Sequence, residues 1–122
     1  MNKLPFSFMA LAVIYILIGM TYGIHMSVSE DFTTAPAHGH LNLLGFVLSA
    51  IFAFYYHLVP SAQNRAGWLH FWLHQISVIL MFPGVIMANT GQGDTVAKVS
   101  SVLAIIAMIS FGWVIYNNRR VS

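Results

Sequence analysis

Apolar residues along the chain fall into four long runs, at about residues 6–26, 37–59, 68–88 and 96–116. Each run is close to the roughly 20 residues that an α-helix needs to cross a bilayer. The three connections between the runs are short and contain proline, glycine or asparagine, which interrupt helices. Short connections make neighbouring helices antiparallel. The pattern therefore predicts an all-α, up-down bundle of four transmembrane helices that forms a single domain over residues 1–122.

The composition agrees with a membrane protein and excludes several other classes. Hydrophobic residues make up 58% of the chain and charged residues only 7%, whereas soluble domains carry about 25% charged residues. The length leaves no room for an attached soluble domain. The chain has no cysteine, which excludes disulfides, thiolate ligands and covalent attachment of haem through thiols. A net charge of +2 gives no surface suited to nucleic acid.

The few charged residues predict the orientation of the bundle. When the four helices cross the membrane one after another, the charged residues on one side are all basic: Lys3, Arg65, Arg119 and Arg120. The other side receives the three acids and one base: Glu30, Asp31, Asp94 and Lys98. Because cytoplasmic loops carry an excess of lysine and arginine, both termini are expected in the cytoplasm. The expected location is a bacterial-type inner membrane.

The same threading divides the six histidines into two groups. His25, His38 and His40 lie near the outer surface, and His57, His70 and His74 lie near the cytoplasmic surface. His38 and His57 belong to one helix but are about 28 Å apart at 1.5 Å per residue, so they cannot share a site. Ionisable residues inside membrane segments are expensive and are usually kept for a function. The two groups are therefore separate candidate sites.

The outer group contains the pattern Ala37-His38-Gly39-His40. Two residues separated by one position point about 200° apart around a helix, so His38 and His40 face different neighbours, as a helix between two metal or haem sites would require. His38 shares its face with small or polar residues, namely Gly45, Ser49 and Tyr56. His40 shares its face with a bulky apolar wall, namely Leu44, Val47, Ile51, Phe54 and Leu58. His25 is a third candidate ligand, and the alternative is that these histidines contact water and lipid phosphate.

The second apolar run also resembles a helix of a known family. Ala37-His38-Gly39-His40, the following apolar run and His57-Leu58-Val59-Pro60 are similar to the tenth transmembrane helix of subunit I of haem-copper oxidases. The stretch from Leu41 to Phe46 is similar to the members related to nitric-oxide reductase and to the cbb3-type oxidases. The resemblance covers about 23 residues, a fifth of the chain.

The resemblance implies an arrangement of haem between subunits. In that family, twelve helices form three four-helix units, and the His-x-His helix is the second helix of its unit. His38 would then match the axial ligand of the high-spin haem, and His40 would match a ligand of the low-spin haem. A chain with one unit must supply the other ligands by self-association, so we expect a homotrimer with three b-type haems between its subunits. The copper-binding histidines, the cross-linked tyrosine and the arginine pair of the family have no match, and Lys98 is the remaining outer cation.

The inner group has a spacing of its own. His70 and His74 are four residues apart and share one helix face. Together with His57 they could form a three-histidine site for copper or zinc, or ligate a second haem. The alternative is that they are interfacial histidines beside Trp68 and Trp72. Two further patterns concern packing: Gly19-x-x-x-Gly23 favours close helix contact in lipid, and Pro83-Gly84 predicts a kink.

The sequence thus supports two functional hypotheses. The first is a b-type haem protein of the membrane that transfers electrons or binds a diatomic gas, with a quinol or another redox partner that the sequence does not specify. The second is a non-catalytic accessory or assembly subunit that handles a metal ion through the inner histidines. A channel or transporter is disfavoured because the predicted spans contain no acid that could bind a cation.

Overall fold

The computed structural model describes residues 2–120, and in this range the chain is all-helical with no strand. Four long helices follow one another: α1 (Lys3–Ser29), α2 (Ala35–Leu58), α3 (Arg65–Asn89) and α4 (Thr95–Asn117), with a 3₁₀ turn at Pro60–Ala62 between α2 and α3. Each of the four is long and apolar enough to cross a membrane. The predicted number of helices is confirmed, and their ends agree with the apolar runs to within a few residues.

Contacts between the connections show that successive helices run antiparallel. The Ser61 hydroxyl donates to Oδ1 of Asn118 over 2.7 Å, which joins the α2–α3 connection to the end of α4. Gly67, near the start of α3, lies against the Leu4 side chain at the start of α1. We call this the basic end, because it carries Lys3, Arg65, Arg119 and Arg120. The opposite, acidic end carries Glu30, Asp31 and Asp94 together with Lys98.

Local signals in the sequence explain where the helices begin and end. The Asn64 side chain caps α3 by accepting a hydrogen bond from the Gly67 N–H over 3.2 Å. Pro36 lies in the first turn of α2, where its missing N–H costs nothing. Helix α1 ends at Ser29 and is followed by Glu30, whose φ of 56° lies in the left-handed region. Pro83 lies inside α3, which continues beyond it to Asn89, and the kink expected at Pro83-Gly84 stays a prediction.

An irregular segment inside α2 was not anticipated. The seven residues Leu41–Val47 form a π-helical stretch that begins directly after His40. A π-helical stretch widens the turn and withdraws backbone carbonyls from the regular α-helical hydrogen bonds, and such stretches occur frequently at functional sites. Apolar spacing alone does not distinguish it from a regular helix. The stretch changes the direction in which the residues after His40 project, and so affects which of them face the bundle.

The packed interior is concentrated near the basic end. There, buried aromatic side chains of α1, α2 and α3 contact one another, and Phe8, Phe52, Tyr56 and Phe71 form the centre of this cluster. Helix α4 adds the buried Val114 and the half-buried Phe111. Helix α1 packs along α2, and α4 packs mainly along α3. Close approach of α3 and α4 depends on Gly84, where an added Cβ would lie 2.9 Å from the Ala97 nitrogen. The outward faces are apolar, as expected for a bundle surrounded by lipid.

Candidate functional site

His40 projects away from the bundle and has one free ring nitrogen. Its Nδ1 lies 2.6 Å from the Pro36 carbonyl oxygen, one helical turn earlier, and the side chain is exposed. Because a carbonyl only accepts hydrogen bonds, Nδ1 carries the proton in the neutral ring and Nε2 keeps its lone pair. A histidine that donates its other N–H to a backbone carbonyl is oriented as metal-ligating histidines usually are.

The apolar wall predicted below His40 is confirmed as an outward surface. Val47, Ile51, Phe54 and Leu58 are all exposed along α2, while Leu44 is half-buried. The wall continues from His40 at the acidic end to the basic end of the same helix. In a membrane this surface contacts either lipid or another apolar surface, so His40 stands at the edge of a face that can accept a partner.

His38 points in a different direction, as the spacing predicted, but its neighbour belongs to the same chain. Its ring lies over Gly23 of α1, where an added Cβ would come within 2.9 Å of the ring carbon Cε1. Its Nε2 lies 3.4 Å from the Asn42 amide nitrogen, and its buried Nδ1 has no hydrogen-bond partner. Asn42 in turn occupies the space above Gly19. The Gly19-x-x-x-Gly23 pattern therefore makes room on α1 for two polar side chains of α2.

His25 lies at the edge of an open groove near the acidic end. The groove has a volume of about 400 Å³, which is within the range of small-molecule sites. Its floor is almost entirely apolar. His25 is exposed, as the prediction of an available ligand requires. The lining comes from α1 and α3: Leu17, Ile18, Thr21, Tyr22, His25 and Phe82.

The connection beside this groove is anionic. The Thr33 hydroxyl and backbone N–H donate to Oδ1 of Asp31 over 2.6 and 3.0 Å. These hydrogen bonds lower the pKa of Asp31, because they stabilise its charged form. The hydroxyl of Tyr22 on α1 and that of Thr34 in the connection form a hydrogen bond, which ties α1 to the start of α2.

The inner histidines are buried and hydrogen-bonded to α2. His70 and His74 are 0% and 4% exposed. The Tyr56 hydroxyl lies 2.8 Å from Nδ1 of His70, and the Ser49 hydroxyl lies 3.1 Å from Nε2 of His74. Both side chains therefore pack inside the contact between α2 and α3.

The predicted three-histidine site is not assembled within one chain. His57 is exposed, whereas Tyr56 beside it points into the bundle toward His70. Over residues 2–120, no group of three or more histidine, aspartate or glutamate side chains is placed to hold a metal ion. The reason is the helical turn of about 100° between Tyr56 and His57, which sends these neighbours to different sides of α2.

Sequence reasoning missed two residues of the buried polar set. The Tyr15 hydroxyl donates to Oε1 of Gln75 over 2.5 Å, and both side chains are buried. On α3, His70, His74 and Ser77 follow a spacing of four and three residues, and Gln75 adjoins them. Polar residues at that spacing in an apolar helix are a signal that could have identified the buried face of α3.

Comparison of the chain with protein-family models, curated protein sequences and solved structures gives no match. The interpretation of the site therefore depends on its geometry and on the resemblance of residues 37–60 described above.

Proposed function

We propose that this protein is a membrane-embedded b-type haem protein in which subunits of a homotrimer share haem at the acidic end of α2. Such a protein would transfer electrons or bind a diatomic gas. The positive-inside rule places the acidic end on the outer side of a bacterial-type inner membrane and both termini in the cytoplasm. The proposal extends the resemblance to one four-helix unit of haem-copper oxidase subunit I.

The observation that carries the proposal is the state of His40. Its Nδ1–H is held by the Pro36 carbonyl at 2.6 Å, and the exposed ring keeps Nε2 free. Haem iron held by histidine needs a neutral nitrogen of this kind and an apolar surface for the macrocycle. The exposed Val47, Ile51 and Phe54 supply that surface on the same face of α2. The residues present therefore fit the group at His40.

The second ligand has two candidates with different geometry. His38 is the residue that the family resemblance selects, but its ring is enclosed by Gly23 and Asn42 of its own chain, so it would have to rotate to reach a neighbour. His25 is already exposed above an apolar groove of about 400 Å³. The geometry favours His40 of one subunit and His25 of the next. His38 would then orient Asn42 and the start of α2.

The chain's own residues would do two things for the bound group. Haem would supply a reversible one-electron couple or a binding site for a diatomic gas. His40 would hold the iron and, through Pro36, keep a fixed ring orientation. The apolar wall and the groove would exclude water, which favours a stable low-dielectric environment for the cofactor. If two histidines held the iron, no site for a gas would remain, which would favour electron transfer.

Mixing of variant chains tests whether the ligands come from different subunits. His40→Ala and His25→Ala chains, each without haem on its own, should regain part of the haem when they are co-expressed, because mixed trimers still contain complete pairs. If His38→Ala alone loses haem, His38 is the second ligand, and the mixture of His40→Ala with His38→Ala makes the corresponding test. The measurement is haem per chain in the purified mixture, with native mass spectrometry to count subunits. Haem that never returns in either mixture, together with a monomeric mass, would contradict the shared site.

A further inference from the structure

The basic end of the bundle carries positive charge that no acidic side chain of the protein neutralises. Its four basic residues are all exposed: Lys3, Arg65, Arg119 and Arg120. The three acidic side chains of the sequence lie at the acidic end. Over residues 2–120, the one ion pair is also found there and joins Lys98 to Asp94 at 3.2 Å. The basic end is therefore suited to an anionic partner from outside the chain.

The guanidinium of Arg119 is folded back onto the last turn of α4. Its carbon Cζ lies 4.1 Å from the centroid of the Tyr116 ring, and its Nη1 donates to the Tyr116 carbonyl oxygen over 2.7 Å. The Tyr116 ring in turn stacks on Trp113, with the ring centroids 6.4 Å apart. A guanidinium has several N–H donors in a planar fork, and the bond to the carbonyl leaves the others for a ligand.

The α2–α3 connection holds the residue that precedes Arg119. The Asn118 amide nitrogen donates to the Val114 carbonyl oxygen over 2.8 Å, and its Oδ1 accepts from the Ser61 hydroxyl over 2.7 Å. Arg65 begins α3 four residues after Ser61, so its charge lies at the same end of the paired helices α3 and α4. Arg119 therefore follows a fixed position and is accompanied by the charges of Arg65 and Arg120.

An exposed apolar stripe follows α4 from Arg119 toward the middle of the bundle. It consists of four residues at spacings of three and four, each at least 57% exposed: Tyr116, Trp113, Ile109 and Ile105. We call these residues the α4 stripe. From Tyr116 to Ile105 the helix advances 11 positions, about 16 Å at 1.5 Å per residue. This length is close to half of the roughly 30 Å hydrocarbon thickness of a bilayer, so the stripe spans one leaflet.

We propose that Arg119 and the α4 stripe bind an anionic phospholipid, with its phosphate at the guanidinium and one acyl chain along the stripe. Arginine pairs with phosphate through two parallel hydrogen bonds, and tryptophan and tyrosine favour the level of the headgroups. Clusters of basic residues at a membrane surface recognise anionic headgroups. The charges of Arg65 and Arg120 add to that of Arg119, so a lipid with net negative charge is preferred over a zwitterionic one.

Native mass spectrometry of the detergent-purified full chain tests the proposal. Phosphatidylglycerol and phosphatidylcholine with identical acyl chains are titrated separately, and the fraction of protein that keeps a lipid gives the two dissociation constants. Arg119→Gln removes the guanidinium. Lys98→Gln makes the same change in charge at the acidic end, where the Lys98 side chain is exposed and paired with Asp94. Circular dichroism and gel filtration of each variant show that its fold is retained.

The wild-type protein and Lys98→Gln should bind phosphatidylglycerol more tightly than phosphatidylcholine. In Arg119→Gln the affinity for phosphatidylglycerol should fall by about fivefold, the effect of one basic side chain near an anionic lipid surface. Equal affinity of the wild-type protein for the two lipids, or equal losses in Arg119→Gln and Lys98→Gln, would overturn the proposal. Displacement of the lipid by an equal concentration of glycerol phosphate would also overturn it, because the site would then bind a free phosphate ester. A protein without haem can still give the expected result, so this test is independent of the haem proposal.

Discussion

Replacing His40 by alanine is expected to remove nearly all haem from the purified protein. The substitution deletes the free Nε2 that the Pro36 carbonyl orients, and no neighbouring side chain on the exposed face of α2 carries another nitrogen ligand. Loss of a residue that only hydrogen-bonds to a metal ligand costs about 10–100-fold in metal affinity, so the loss of the ligand itself should exceed about 100-fold. The measurement is haem per chain after expression with an adequate haem supply.

His57→Ala is the matched control for this prediction. His57 lies on the same helix and is also exposed, but it is near the basic end, about 25 Å along the helix from His40 at 1.5 Å per residue. This variant should keep the haem content of the wild-type protein. Equal haem in His40→Ala and the wild-type protein would remove His40 from the site and leave the resemblance of residues 37–60 without a functional meaning.

Replacing His70 by alanine should give the largest loss of stability in the chain. The His70 ring is fully buried, with ring centroids 4.4 Å from Phe52 and 4.9 Å from Phe111. Removal of a buried aromatic side chain costs about 3–5 kcal/mol, and the Tyr56 hydroxyl would also lose its partner at a cost of about 1–3 kcal/mol. The measurement is the free energy of unfolding by denaturant in detergent micelles.

Two further variants separate the packing of His70 from its hydrogen bond. His70→Phe keeps an aromatic ring among Phe52 and Phe111 but leaves the Tyr56 hydroxyl without its partner, so it should lose only the hydrogen-bond part. His57→Ala, at an exposed position, should change stability by no more than about 0.5 kcal/mol. If His70→Ala were as stable as His57→Ala, the buried aromatic cluster could not be the centre of the fold.

The helices were predictable because each apolar run matches the length of one span. The ends of α2 follow from Pro36 and Pro60, and the antiparallel order follows from short connections. The π-helical stretch Leu41–Val47 was not predictable, since it changes backbone hydrogen bonding without changing the apolar pattern.

The divergence of His38 and His40 was predictable from helix geometry, but their neighbours were not. Spacing places the two side chains on different sides of α2. Only the packing of α1 shows that Gly23 encloses His38. Similarly, the spacing of His70 and His74 predicted that they share one face of their helix. The separation of His57 from them depends on which side of α2 faces the interior of the bundle. Contacts between helices far apart in sequence determine these choices.

A visible difference spectrum of the detergent-purified wild-type protein tests the claim that the chain binds b-type haem. The spectrum of the reduced protein minus that of the oxidised protein is combined with pyridine haemochrome quantitation. We predict sharp α and β bands of a six-coordinate b-type cytochrome, with close to one haem per chain. A colourless protein, purified after expression with an adequate haem supply, would contradict the claim and would favour the accessory role as the hypothesis to test.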